Sequence, residues 1–488
     1  MRYRHFVSVG ILAFLIAAAP MLRAQEKFYR PELNAKYLEE SLRTDWYGVY
    51  LKDKKIGYVR SERKRVDDWY VEEQVMLMKL VSFGKKVEIA VTQRMDFESK
   101  APYALVKAHL IEKSGPIQKT TTVTRVKDGY EAIHEAGGEK RTQILKDVDF
   151  TLADASATDM WVRSKPKVGD QILARNFDPE DLKMETQAHK VLSSKNSLVG
   201  GVEVHFYEVE SESKTRQIKT LNRYDDQGTT LSAVVAIFEL RKETEEQAKN
   251  TQYSQDLFVM GMVKLDRGIG RTDKVAELVV EVDAKEADGL EDGPRQTIAK
   301  SDKGTLLIKL GKRHGKETKA TEAEIEEALE ETNSYPIKHP KIKALADKVT
   351  EGARSDEEKV KKVVEFVHNY VKPSLSANAP NIHDLLEKKK GDCKSYALLC
   401  NNLCRAAGVP AREVSGLLYV GDDFKAFGGH AWNEVVLGGV WVPVDASMGE
   451  TEINATHICF GTEHRATRNL LTTLGKLSFR VVEVKNAD

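Results

Sequence analysis

Three residues of the 488 have types and contexts that together could make or break an acyl bond: Cys393, His430 and Asp445. Cys393 follows Gly391 and Asp392 at the start of a segment whose Ala397, Cys400, Cys404 and Ala407 recur at helical spacing and whose end is set by Gly408 and Pro410. At a helix N-terminus, unpaired N–H groups and the positive end of the macrodipole favour thiolate over thiol. Asp392, the expected N-cap, opposes this with its own negative charge, so a base is needed. His430 supplies one: it opens a strand predicted over 430–437, which Gly438-Gly439 joins to a second strand over 440–445. With a two-residue turn Leu437 faces Val440, Trp432 faces Asp445 and His430 faces Ser447. His430 and Asp445 are then diagonal neighbours on one face, with Cα atoms roughly 7 Å apart. A three-residue loop would send Asp445 to the other face, and Gly-Gly, free to take positive φ twice, suits the shorter turn. Cys393 would attack, His430 would move the proton, and Asp445 would hold the imidazole tautomer. The Cys393 backbone N–H is one natural oxyanion donor; Asn378, Asn381 and the Trp432 indole are candidates for the second.

These residues need a scaffold, and the patterning supplies a mixed one. Thr321 with Glu324 and Ser355 with Glu358 have capping-box spacing, which places helix starts there. After the second, Val360, Val363, Val364, Val367 and Val371 form an apolar stripe read as core packing. Further strands are expected over 411–420 and 306–310, with a loop over 421–429. Upstream, from about 46 to 282, the period is two: Val87, Ile89 and Val91 alternate with polar residues, as do Val202, Val204 and Phe206. Turn signals such as Gly137-Gly138 and Asp225-Asp226-Gln227-Gly228 punctuate an antiparallel meander. Its two blocks, roughly 45–145 and 185–282, read either as a duplicated unit or as one large curved sheet, flanking a segment at 150–181 with a short helix. The expected organisation is a signal peptide over 1–24, a β-rich domain over 25–270, connecting strands and linker over 271–320, and an α+β domain over 321–488 that holds every candidate reacting group. A fragment from about 320 onward is therefore expected to keep thiol reactivity.

Length exceeds one ordinary core, and equal numbers of basic and acidic residues, 75 of each, argue against a nucleic-acid-coating protein. Arg2, Arg4 and His5, the apolar run from Phe6 to Pro20 and Ala24 before Gln25 have the order of a secretory signal, so the expected location is secreted or periplasmic. The four cysteines, Cys393, Cys400, Cys404 and Cys459, contain no C-x-x-C pair. Cys400 and Cys404 read as small core hydrophobes, with a bridge from one of them to Cys459 left open. His457 and His464 could join His430 at a metal, but no i, i+4 histidine pair supports that, and Asp422-Asp423 lacks the alternation of a calcium loop. The expectation is no metal and no cofactor.

Four segments carry a family resemblance: Gly391-Asp392-Cys393-Lys394-Ser395-Tyr396-Ala397, Ala406-Ala407-Gly408-Val409-Pro410-Ala411-Arg412, His430-Ala431-Trp432-Asn433-Glu434-Val435, and Trp441-Val442-Pro443-Val444-Asp445. Over about 340–460 the chain resembles the bacterial transglutaminase-like superfamily. The resemblance implies a papain-like α+β core, with the helix-start cysteine packed on an antiparallel sheet, a triad on Cys393, His430 and Asp445, and hydrolysis, deamidation or transamidation of protein or peptide amides through a thioester. Lys394 departs from the acidic or polar residue many relatives carry, and with Trp432 it is a candidate for substrate binding. The superfamily also contains non-catalytic members. A binding or assembly module, and an envelope carrier whose β sheet holds an apolar ligand, therefore stand as alternatives to the exported enzyme, with the β-rich region associating with the cell envelope.

Overall fold

The computed structural model describes residues 28–487 apart from 52, 83, 116, 200–201, 216–217, 236, 254–255, 257–260, 284–289, 302, 333, 375–381 and 463–476. The signal-peptide expectation, Asn378, Asn381 and His464 lie outside the described residues.

Alternating residues upstream fold into one antiparallel sheet of fourteen strands rather than two separate units. Eight strands, from Arg43–Leu51 to Glu139–Leu145, run outward in sequence order, and six more, from Gln171–Asp178 to Phe238–Glu243, run back until the last pairs with the first. The turn-around carries the expected short helix as two pieces, Leu152–Ala155 and Ala157–Arg163. Thr151 and Asp154 cap the first reciprocally, and Phe150 and Leu152 insert among Phe97, Leu105, Phe177 and Leu182. That cluster draws on both arms, so the connection fills the space the arms enclose.

The first sheet ends at Glu243, and a second, nine-stranded sheet takes β1 (Val263–Leu265) from the end of the stretch expected to be β-rich and β2 (Val275–Asp283), β3 (Gln296–Lys300) and β4 (Thr305–Gly311) from the stretch expected to connect. Its remaining strands are β5 (Ala411–Tyr419), β6 (Ala426–Leu437), β7 (Val440–Val444), β8 (His457–Thr462) and β9 (Ser478–Asn486). The order is β3-β4-β2-β9-β1-β6-β5-β8, with β7 on β6. Among the described residues of this stretch Lys300, Lys303, Lys312 and Arg313 are exposed, whereas Val275, Leu278, Val280, Val282, Ile308 and Leu310 share a core with Leu417, Phe427, Ile458 and Phe460.

Five helices among the described residues accompany this sheet: α1 (Glu322–Glu327), α2 (Pro340–Val349), α3 (Asp356–Tyr370), α4 (Ile382–Lys388) and α5 (Cys393–Ala406). The capping box at Thr321 forms in full. At α3 Ser355 accepts from Glu358 N–H, but Glu358 accepts from the Arg354 N–H instead of closing the box. Val360, Val363, Val364 and Val367 are buried against Leu399, Cys400, Leu403 and Cys404 of α5. Each such valine contributes roughly 1.5–3 kcal/mol by leaving water. No helix among the described residues is long and apolar enough to cross a membrane.

Candidate functional site

The thiol is placed by α5. Asp392 caps that helix, accepting from the Ser395 N–H at 3.3 Å, and Cys393 is its first residue, partly exposed. A side chain at Gly391 would collide with Ser395, which folds back over the cap. Burial pushes the Asp392 carboxyl up, while the Ser395 N–H and the Lys394 charge pull it down. Lys394 itself is exposed.

The imidazole and carboxylate are placed by the β6–β7 hairpin. Gly438 and Gly439 turn at φ +60° and +83°, and Leu437 pairs with Val440 and Asn433 with Val444, the register expected from the sequence. One residue beyond this ladder, Asp445 leaves β7 to bridge Glu450 and turns its carboxylate toward His430. His430 Nε2–H donates to Asp445 Oδ2 at 2.7 Å, with the two side chains 8% and 1% exposed. Cys393 is the other group that acts on the ring, raising its proton affinity alongside Asp445. Burial pulls the His430 ring down, but the charge and hydrogen bond of Asp445, with a further contribution from Cys393, outweigh it and push it up to about 10. Burial likewise acts to raise Asp445, yet His430 and then His457 hold it well below the usual carboxylate range. The other carboxylate oxygen is fixed by Ser447 N–H and O–H at 2.7 Å each and by Met448 N–H at 3.2 Å.

A second histidine stands on the same carboxylate. His457, first residue of β8, donates from Nε2 to Asp445 Oδ2 at 3.2 Å. In the sequence His457 suggested only a metal ligand beside His430; the one usable hint was its place at the head of a short alternating strand. His430, Asp445 and His457 do bring donor atoms within 4.8 Å of one another. The 2.7 Å between His430 and Asp445 is nevertheless hydrogen-bond spacing, shorter than the edge of roughly 3.3 Å between ligands of a tetrahedral zinc. Glu139, His339 and His383 form another such group, in which Glu139 is already paired with Lys341 at 3.0 Å and His339 Nδ1 accepts the Lys341 N–H.

Most of the remaining motif residues are braces. Asn433 Nδ2 donates to Ala397 O at 3.0 Å and to Asn401 Oδ1 at 3.1 Å, tying the histidine strand to the cysteine helix. Arg412 and Glu434, opposite each other on β5 and β6, pair at 2.8 Å with Glu434 buried and Arg412 partly so, and the Arg412 guanidinium lies 3.7 Å from the centre of the Trp441 ring. Trp432, 2% exposed, stacks on His430 at 5.9 Å and 21°. Asp422 Oδ1 accepts from the Ile269 and Gly270 N–H groups, fastening the entry to β2. All four cysteines are free, so no bridge joins Cys400 or Cys404, one helical turn apart on α5, to Cys459. A surface hollow of about 510 Å³ on α2 and α3, lined by Val349, Lys362, Glu365, Phe366, Asn369 and Tyr370, includes none of these groups.

Residues 343–446 match the transglutaminase-like superfamily, and a domain of that superfamily occupies this part of the chain. Kyphoscoliosis peptidase of Mus musculus is 29% identical over 126 residues, 24% of this chain and 19% of that protein. Its Homo sapiens counterpart is 29% identical over 116 residues, 22% and 18% respectively. The chain thus spans about a fifth of the length of these curated relatives. Among solved structures, a β-barrel-like protein from Brucella abortus covers 41% of this chain and 94% of its own at 9% identity and a TM-score of 0.31.

Proposed function

We propose that the transglutaminase-like domain works in this chain as a cysteine-dependent enzyme on amide bonds of proteins or peptides. The observation that carries the reading is the buried His430 ring hydrogen-bonded to the Asp445 carboxylate and influenced by the thiol of Cys393 at a helix start. In the first half-reaction the Cys393 sulfur attacks the amide carbonyl carbon and the carbonyl π pair moves to oxygen, where the Cys393 N–H at the α5 terminus stabilises it. Collapse of that adduct expels the amine, which takes its proton from His430, and leaves a thioester on Cys393. Water or a primary amine, deprotonated by His430, then attacks the thioester and releases acid or new amide. Asp445 keeps Nε2 as the protonated nitrogen throughout, so Nδ1 is the atom that gives and receives the proton at sulfur. The name peptidase borne by the curated relatives supports an amide substrate.

Export to a secreted or periplasmic location follows from the basic, apolar and small order of the first 24 residues, and the fourteen-stranded sheet is read as the part that presents substrate or docks at the envelope. The deciding experiment traps the acyl-enzyme with a glutamine-containing or peptide-like ester and maps the adduct by mass spectrometry, then offers water alone or a primary amine. A thioester on Cys393 resolved by amine marks transfer, and one resolved by water alone marks hydrolysis. No adduct across a broad panel, with biological activity intact in Cys393→Ala, would replace this reading with a non-catalytic module.

A further inference from the structure

Asp445 Oδ2 receives two imidazole N–H groups, from His430 at 2.7 Å and from His457 at 3.2 Å. Of these His430 is the ring that Cys393 influences; His457 lies beyond residue 446, where the superfamily match ends, and its side chain is 1% exposed. Its Nδ1 is buried without a hydrogen-bond partner among the described residues. A proton there would have no acceptor, so the ring is read in its Nε2–H form, with its one proton committed to the carboxylate. The ring cannot turn away cheaply: it meets Trp432 edge-on at 5.3 Å and lies 5.7 Å from the His430 ring. Backbone pairing of Leu418 with His457 fixes its strand.

We propose that His457 is a positioning residue for the reacting pair: by donating to the oxygen that His430 uses, it aims the Asp445 carboxylate and takes up part of its charge. The inference rests on the reading of Cys393 and His430 as reacting groups. A carboxylate with a second donor holds less negative charge for His430, so the imidazolium is stabilised less than Asp445 and His430 alone would allow. The groups facing this centre are Asp445 and Glu450 from the turn after β7, His430 from β6, Cys393 from the start of α5 and Cys400 within it, and His368 of α3, whose Nδ1 lies 3.2 Å from Ala446 O. Burial pushes the Glu450 carboxyl up while His457 pulls it down, so Glu450 is the acid to watch alongside Asp445 when His457 is changed.

The test uses the full-length protein and follows alkylation of Cys393 by iodoacetate against pH, with the site read by mass spectrometry. Iodoacetate is anionic and needs the neighbouring imidazolium, so its rate falls on the alkaline side as the Cys393–His430 pair loses its proton, an apparent value that belongs to the pair. His457→Phe keeps a ring and removes the donor, and it is expected to move the alkaline limb upward by about half to one pH unit. His457→Gln, which restores an N–H at similar reach, is expected to return the limb to its wild-type place. A purely structural residue would lower the yield of folded protein and leave the limb where it was, so an unmoved limb in folded His457→Phe overturns the proposal. Should that variant not fold, ¹⁵N-histidine spectra of the wild type decide: His457 protonated on Nε2 and bare on Nδ1 supports it, and the opposite tautomer overturns it. Alkylation needs no turnover, so a shifted limb in a protein inert towards every amide would sink the proposed function and leave the positioning role standing.

Discussion

Replacing Asp445 by Asn tests the electrostatics of the site at its centre. The His430 ring is pushed up from 6.5 to about 10 chiefly by Asp445 working against burial, a difference worth at most roughly 5 kcal/mol at about 1.4 kcal/mol per pH unit. A raised folded value makes the sign definite. The imidazolium contributes its full stability below about pH 6.5, still roughly 4 kcal/mol at pH 7 and roughly 2 at pH 8.5, and loses the rest as pH rises through 10. Asp445, held low, loses its own contribution only as pH falls below the usual carboxylate range. In Asp445→Asn the amide oxygen can keep the Ser447 and Met448 N–H groups, but its NH₂ then meets two ring nitrogens that were both donors. His430 must give up its Nε2 proton, place one on Nδ1 and face Cys393 as a donor, the wrong tautomer for a base. Urea unfolding of wild type and variant at pH 6, 7, 8.5 and 10 should therefore show a gap of about 3–5 kcal/mol at pH 6 that closes towards pH 10, with amide turnover down on the order of a thousandfold. A gap that stays flat with pH, or widens at pH 10, would refute the assignment of His430's proton to Asp445.

Three further expectations follow from the same geometry. Iodoacetamide at pH 7 should label Cys393 ahead of Cys400, which its contact with Cys404 and burial push well up, and of Cys459, which burial pushes up to about 12; peptide mapping showing Cys459 labelled first would contradict this. A fragment beginning near 320 should fail to fold, because it lacks β1 to β4 and with them Val263, Leu278, Val280, Ile308 and Leu310, whereas one beginning near 262 should fold with Cys393 reactive; circular dichroism and labelling separate the two. Asn433→Ala removes the tie to Ala397 and Asn401 and should cost about 1–3 kcal/mol in urea unfolding while slowing Cys393 labelling; a stable variant with unchanged labelling would show that packing alone sets the helix against the strand.

The hairpin was legible because its turn admits only one parity. Two glycines at positive φ set the register, and the register places Asp445 beside His430. The helix start at Cys393 was legible for a similar local reason, a cap and a stop a helix length apart. In the 271–320 segment local patterning found the strand at 306–310, which runs Thr305–Gly311, but not the long-range core in which Val275 to Val282 and Ile308 join residues more than a hundred positions away in β5, β6 and β8. It failed again for His457, whose role exists only because β8 returns to β5 and brings its first residue back to Asp445. Strand β6 begins at Ala426, inside the expected loop, because Ala426 and Phe427 pair with Lys264 and Val263 of β1, which no short window of sequence contains.

The out-and-back path of the large sheet bears on how it assembles. Within each arm every strand is hydrogen-bonded to the next one in sequence, so each arm can zip through successive hairpins at low entropic expense. The ladder between Arg43–Leu51 and Phe238–Glu243, with Tyr47 opposite Lys242, is different, because it joins the two ends of the whole region. Formation of that seam is in effect the docking of two prebuilt meanders that share a polypeptide, a non-local step that sets the pace for such topologies. Until it closes, Arg43–Leu51 and Phe238–Glu243 are both unpaired edges, and the period before closure is when this chain is most exposed to pairing with another copy of itself.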